Sequence, residues 1–151
     1  MGKGISVEIL DGEDVRRMMS PDLGFTHQDR DINTKRLAYI AQLLANHGVV
    51  AIVAAVSSKR AFRDRARNMA PGGRFVEVFV QCSLAECKRR DPKGLYKRGE
   101  AGEVNDIAGW HQPFEEPLSP EVTLSSESQN PAEEAQAVLD YMVEKKFIAI
   151  G

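Results

Sequence analysis

The sequence predicts an α/β fold: a three-layer sandwich on a parallel sheet, formed as a single domain over residues 1–151. Strand-like and helix-like segments alternate along the chain, the pattern of helices laid on the faces of a parallel sheet. Residues 49–56 are continuously apolar and bounded by Gly48 and Ser57-Ser58, as a parallel strand covered on both faces requires. The length of 151 residues suits one domain. Crossovers in such a sheet are right-handed, and ligands sit beyond the carboxyl ends of the strands.

Each element has a local reason. Val7-Glu8-Ile9-Leu10 is a short apolar strand stopped by Asp11-Gly12. A helix over 14–19 ends near Pro21, and Leu23-Gly24-Phe25 is a loop. Thr26 is placed to cap the next helix, with Asp29 three residues on as the acid of a capping box. Leu37, Ile40, Ala41 and Leu44 repeat at helical spacing up to His47, and Gly48 suits the left-handed residue that ends a helix. A basic helix over 59–69 closes at Pro71-Gly72-Gly73, and 75–80 is the third strand. Ser83 with Glu86 caps a helix to Arg90. A short mobile helix is expected over 97–104, a Gly- and Pro-rich loop over 105–120, and a last strand over 122–124. Asn130-Pro131 opens a final helix to Lys145, with proline in the first turn where its missing N–H costs nothing.

Composition excludes several classes. With 42% hydrophobic residues the chain has enough for one core, and 28% charged residues with a net charge of −2 give no case for nucleic acid or membrane binding. No apolar run approaches the length needed to cross a bilayer, and the first residues lack the apolar core of a signal peptide, so a cytoplasmic protein is expected. Cys82 and Cys87 lack the spacing of a metal site, and His27, His47 and His111 are scattered, so no metal-ligand cluster is expected.

The polar residues that follow the strands form the candidate site. Arg16, Arg30, Lys59, Arg60, Lys93 and Lys97 lie near strand ends, where arginine forks match phosphate or sulfate; a solvated basic face is the alternative. Asp11 either orients or deprotonates an acceptor hydroxyl, or holds a metal through water, or makes a turn. Ser57 either contacts phosphate or caps a helix together with Ser58. Phe25 either stacks on a base or staples the Thr26-capped helix, and Trp110 either meets a ligand or anchors local packing.

Leu10-Asp11-Gly12-Glu13-Asp14-Val15-Arg16 resembles the Leu-Asp-Gly-Asp-x-x-Arg segment of adenylylsulfate kinases. Asp22-Leu23-Gly24-Phe25-Thr26, with Asp29-Arg30 and Asn33, is similar to that family's Leu-Gly-Phe-Ser…Asp-Arg…Asn stretch. Ala54-Ala55-Val56-Ser57-Ser58-Lys59-Arg60 resembles its Ile-Ser-Pro-x-Arg turn, with Ser58 in place of proline. Asp91-Pro92-Lys93-Gly94-Leu95-Tyr96-Lys97 matches its lid motif, and Glu115-Glu116-Pro117-Leu118-Ser119-Pro120-Glu121 is similar to its tail motif. The motifs occur in the family's order over essentially the whole chain.

The resemblance implies a P-loop kinase-like fold that transfers the γ-phosphate of ATP, with Mg2+, to the 3′-hydroxyl of adenylylsulfate in sulfate activation. It implies roles by position. Asp11 matches the carboxylate that positions or activates the ribose hydroxyl. Arg16, Arg30 and Asn33 match groups that hold the sulfate–phosphate part of the substrate, and Phe25 matches one plate of the adenine clamp. Ser57 matches a serine proposed as a phosphorylated intermediate, although direct in-line transfer is the simpler reading. Lys93 and Lys97 match lid lysines that approach the phosphates as the lid closes and excludes water. The second clamp aromatic falls at Ile107, in Asp106-Ile107-Ala108-Gly109-Trp110-His111, and Trp110 is the residue that could compensate.

Departures accompany the likeness. No Gly-x-x-x-x-Gly-Lys-Ser/Thr occurs in the sequence, and Gly2-Lys3 is a look-alike followed by Gly4. The fold expected is therefore one without its first strand and P-loop, with apolar faces left open on 7–10 and 49–56. A homodimer, or a partner supplying the missing strand, would cover them. Glu100 stands where an arginine is usual, and His111 where an aspartate is usual. Three readings follow. The chain is an adenylylsulfate kinase domain shortened at its N-terminus, a catalytically inactive nucleotide-binding or interaction module, or a kinase for another acceptor. The expected partner throughout is adenylylsulfate or a related adenine nucleotide.

Overall fold

The computed structural model describes residues 4–149. The chain divides into two compact units, residues 1–75 and 76–150, and each is described by itself. Gly2 and Lys3 of the P-loop look-alike lie outside the described residues.

The first unit runs β1 (Val7–Asp11), α1 (Gly12–Met19), α2 (His27–Asn46), β2 (Val50–Ala54) and α3 (Arg60–Met69), followed by a 3-10 turn at Pro71–Gly73. β1 and β2 are parallel, from Val7 opposite Val50 to Asp11 opposite Ala54. Both strands therefore deliver their following residues at the same end. The ladder stops where Asp11 turns the chain into α1: its Oδ1 accepts the amides of Glu13 at 2.9 Å and Asp14 at 3.1 Å. Gly12 makes that start possible. A Cβ there would stand 2.9 Å from Ala55 Cβ and 3.0 Å from the Ala54 carbonyl oxygen. β2 consequently ends at Ala54, short of the apolar run to Val56.

α2 is capped as expected. Thr26 Oγ1 accepts the Asp29 amide at 3.1 Å and donates to Asp29 Oδ2 at 2.8 Å. Gly48, at φ 76°, takes the left-handed turn beyond its end. The helix packs against β1, β2 and α3. Leu37 is 2% exposed at the centre of this unit, and Phe62 of α3 is buried with its ring stacked on His27 at 5.5 Å. Asp31 joins α2 to α3, meeting Arg65 at 2.6 Å and Lys35 at 2.8 Å. β2 is more open than a strand covered on both faces: Ile52 and Val53 are exposed, as are Val7 and Ile9 of β1. Of the apolar faces expected to be open on 7–10 and 49–56, these residues and Val56 are exposed, whereas Leu10 is buried and 49–51 are half-buried.

The second unit runs β3 (Val78–Gln81), α4 (Leu84–Arg90), α5 (Leu95–Glu100), β4 (Val122–Ser125) and α6 (Pro131–Glu144). β3 and β4 are parallel, from Val78 opposite Val122 to Gln81 opposite Ser125. Among the described residues all ladders are parallel, but β1–β2 and β3–β4 form separate two-stranded sheets where the sequence predicts one. β3 is tied to the flanks of β4 at both ends: the Glu77 amide donates to Glu121 Oε2 and the Ser83 amide to Glu127 Oε1, each at 2.6 Å. β3 starts later than the predicted residue 75, because Gly72 and Gly73 turn the chain at positive φ. The Asn130 cap and Glu133 form a full capping box on α6.

α5 occupies 95–100 instead of the predicted 97–104. Gly94 is left-handed, and the Asp91 carboxylate reaches past it: Oδ1 accepts the Tyr96 amide at 3.1 Å and Oδ2 the Lys97 amide at 3.0 Å. Burial works against the charge on Asp91, but these backbone donors outweigh it and hold its carboxyl below the ordinary value. Gly102, at φ 75°, turns the chain after the helix.

Two predictions follow from these contacts. Gly12→Ala should lower stability by about 1–3 kcal/mol in urea unfolding, since the added methyl meets backbone and a neighbouring methyl. Gly4→Ala, where a Cβ would meet nothing within 4 Å, is the control and should leave the midpoint in place. The second concerns Glu86, whose carboxyl is held at about 2, from an ordinary 4.5, by the guanidiniums of Arg89 and Arg90. A depressed carboxyl contributes stability above its ordinary value and loses it as pH falls through the folded one. Its NMR titration midpoint should lie near 2 and rise toward 4.5 in the Arg89→Ala/Arg90→Ala variant. A midpoint that does not move would show that the guanidiniums are not the cause.

Candidate functional site

At the carboxyl end of β1 the chain gathers the first group of predicted residues. Asp11 is exposed, and both of its cap bonds fall on Oδ1. Turn formation and a chemical role are therefore compatible, because neither cap bond falls on Oδ2. From α1, Arg16 places its guanidinium 4.5 Å from the Phe25 ring centroid and donates to the Gly24 carbonyl at 2.5 Å. From α2, Arg30 lies 5.5 Å from the same centroid and donates through Nε to the Phe25 carbonyl at 3.1 Å. Phe25 itself is 48% exposed, so it is not stapled into a core. Arg16 of α1, Phe25 of the loop and Arg30 of α2 thus form one cluster. Asn33, one turn beyond Arg30 on α2, is 6% exposed, and its Oδ1 has no hydrogen-bond partner. A buried acceptor left unpaired costs about 1–3 kcal/mol, which a ligand donor would recover.

The loop that carries Phe25 is held by a residue the motif reading gave no role. Arg36 forks onto Asp22 with two bonds of 2.9 Å and also donates to the Met19 carbonyl at 2.9 Å and Ser20 Oγ at 3.0 Å. The hydrogen bond from Arg36 holds the Asp22 carboxyl below its ordinary value. Ser20 is fully buried under this fork. The signal was present as Asp22 and Arg36, but their pairing joins a loop to the third turn of a helix and has no sequence period.

At the end of β2, Ser57 is half-buried and its carbonyl accepts Arg63 Nη1 at 2.5 Å. Neither Ser57 nor Ser58 caps α3: the cap is Lys59, with no side-chain bond to the helix.

In the second unit, Lys93 and Lys97 are exposed, Lys97 standing on α5. Ile107 is 6% exposed, packed where a Cβ on Gly99 would come within 2.9 Å of it. Trp110 is a packing anchor: its ring stacks with His111 at 4.2 Å and with Tyr96 at 6.2 Å, and Lys88 Nζ sits 3.7 Å over it. A hollow of about 300 Å³ at the carboxyl ends of β3 and β4 is lined by Gln81, Cys82, Ser83, Glu116, Ser125 and Glu127. Two carboxylates and no cation line it, so it does not suit a sulfate. Among the described residues no three metal-ligating side chains converge, and no helix is long and apolar enough to cross a membrane. His47 is held by its bond to the Leu43 carbonyl at 2.8 Å, as His27 and His111 are by their ring contacts.

Comparison with known proteins agrees with the motifs. The profile of the adenylylsulphate kinase family matches residues 1–125. The adenylyl-sulfate kinase of Oceanobacillus iheyensis is 37% identical over 139 residues, covering 92% of this chain and 70% of that protein. That of Microcystis aeruginosa is 39% identical over 148 residues, covering 98% of this chain and 81% of the relative. The structure of the Mycobacterium tuberculosis APS kinase CysC in complex with AMPPNP and APS superposes with a TM-score of 0.86 at 38% identity, covering 93% of this chain and 82% of that one. Sequence and structure therefore agree that this chain belongs to the adenylylsulfate kinase family, with the fold of the P-loop kinases.

Proposed function

We propose that the chain binds adenylylsulfate at the Arg16–Phe25–Arg30 cluster and presents its 3′-hydroxyl for phosphorylation by ATP, the reaction of sulfate activation. The observation that carries this is the cluster itself: two guanidiniums against one half-exposed aromatic ring, beside a buried amide oxygen without a partner. An adenosine carrying a sulfated phosphate has the matching parts, a flat base, an anion and hydroxyl donors.

Magnitudes favour binding. A guanidinium over an exposed ring is worth roughly 0.5–1 kcal/mol, and a hydrogen bond to a charged group about 1.5–3 kcal/mol. An arriving anion therefore draws Arg16 off Phe25, and the movement opens the ring face on which the base stacks. Asn33 Oδ1 accepts from the ligand, and Asp11 Oδ2 accepts the proton of the ribose hydroxyl, holding it for attack. Taken unit by unit, Ser57 in the first and Lys93 and Lys97 in the second are candidate phosphate contacts, whereas Ile107, 6% exposed and packed on Gly99, offers no open clamp face.

ATP is the phosphoryl donor of the family, and Mg2+ belongs to this proposal as its companion. Mg2+ commonly keeps several waters and binds through one or two carboxylates together with substrate phosphates, a mode that needs no protein cage and suits Asp11 as the protein's contribution. When bound, it would neutralise charge developing on the transferred phosphoryl group. A cytoplasmic location, and a second copy or partner over the exposed residues of β1 and β2, are part of the same reading.

Calorimetry tests it. Adenylylsulfate should bind the full chain, and Arg30→Ala should weaken binding about tenfold or more, the loss of one charge-assisted contact. Unchanged affinity in the variant would remove Arg30 from the site. ATP alone should bind weakly, because no Gly-x-x-x-x-Gly-Lys-Ser/Thr loop lies in the sequence to cradle its phosphates. A micromolar dissociation constant for ATP would overturn that expectation.

A further inference from the structure

We propose that Lys88 is a positioning residue: it pins α5 and the loop after it to α4, and so fixes where Lys97 stands. The inference rests on the reading of 91–97 as the segment that approaches the substrate phosphates.

Helix α5 is short, six residues, and cannot hold its own geometry in water. Asp91 secures its first turn through the amides of Tyr96 and Lys97. One fixed end leaves a rigid rod free to swing, so a second anchor decides whether the segment is placed or merely attached. Lys88 supplies it. Its Nζ lies 3.4 Å from Oε1 of Glu100, the last residue of α5, and 3.7 Å over the ring of Trp110 in the following loop. A single ammonium on α4 thus meets both the end of α5 and the loop.

The ring it meets is itself locked to α5. Gly99 leaves the space: a Cβ there would come within 2.6 Å of Trp110 Cζ3 and 2.9 Å of Ile107 Cδ1. Tyr96 stacks on one side of Trp110, and His111 lies against it, with His111 Nδ1 accepting the Ile107 amide at 3.3 Å. Gly99, Tyr96, Ile107, Trp110 and His111 therefore form one packed cluster, and the Lys88 ammonium is its handle on α4.

An exposed lysine–glutamate pair alone holds little, and Glu100 is 59% exposed. Lys88 is only 29% exposed and faces the indole, where a cation held over an aromatic ring with less water around it gains more. The ring contact should then outweigh the ion pair. Lys88→Met, which keeps the stem and removes the charge, is the decisive change, and Glu100→Gln is the milder one.

The test uses hydrogen exchange on the full chain together with Trp110 emission, Trp110 being the single tryptophan. In Lys88→Met, amides in 95–112 should exchange about tenfold faster, the scale of a partly desolvated cation–ring contact, while those of α2 keep their rates. Trp110 emission should move to longer wavelength, and adenylylsulfate affinity should fall several-fold. Lys88→Arg should restore all three, and Glu100→Gln should change exchange by no more than about twofold. Wild-type exchange and emission in Lys88→Met would overturn the proposal, as would loosening that Lys88→Arg fails to rescue. Should Lys88→Met not fold, Trp110→Leu removes the other partner, and unchanged exchange over 95–100 there would equally overturn it. If the unaltered chain binds no adenylylsulfate, the substrate reading fails, and exchange and emission still decide the role of Lys88.

Discussion

The polar chemistry of the first unit depends on one close approach, Gly12 against Ala54 and Ala55. Parallel register brings Asp11 opposite Ala54, and the missing side chain at Gly12 lets α1 begin there instead of a loop's length further on. The same step commits the Asp11 carboxylate to the α1 amides and sets Arg16, one turn on, toward the Gly24-Phe25 loop. A larger residue at position 12 would separate strand end from helix start, and the cluster around Phe25 would lose its α1 arm.

Charge is allotted in two ways. Arg36, Arg65, Arg89 and Arg90 meet carboxylates at hydrogen-bonding distance, and these pairs hold loops and helices in place. Arg16 is different: its contacts are a carbonyl oxygen and an aromatic face, neither of which neutralises it. That difference sets Arg16 apart from the guanidiniums paired with carboxylates, and net charge or spacing does not reveal it.

At α5, a long-range cap replaces the short-range signals. The cap at Thr26 and the capping box at Asn130 join residues three apart, so the sequence shows them. Asp91 reaches amides five and six residues away across a left-handed glycine, and nothing in the three-residue spacing points to it. This is why α5 begins and ends earlier than its sequence suggests. The carboxylates of Glu121 and Glu127, tied to backbone on either side of β3, were invisible for the same reason: each partner lies 44 residues away.

The sequence by itself determined the α/β class, the order of the elements, the caps of α2, α4 and α6, and the family, because these rest on local spacing and ordered motifs. Tertiary structure alone decided that Arg16 and Arg30 converge on one ring, that Arg36 clamps the loop beneath it, and that Trp110 and Ile107 pack on Gly99 instead of standing open as a clamp. Such contacts join residues whose separation follows no helical or strand period. Only the folded chain, by bringing distant side chains within bonding distance, could assign them.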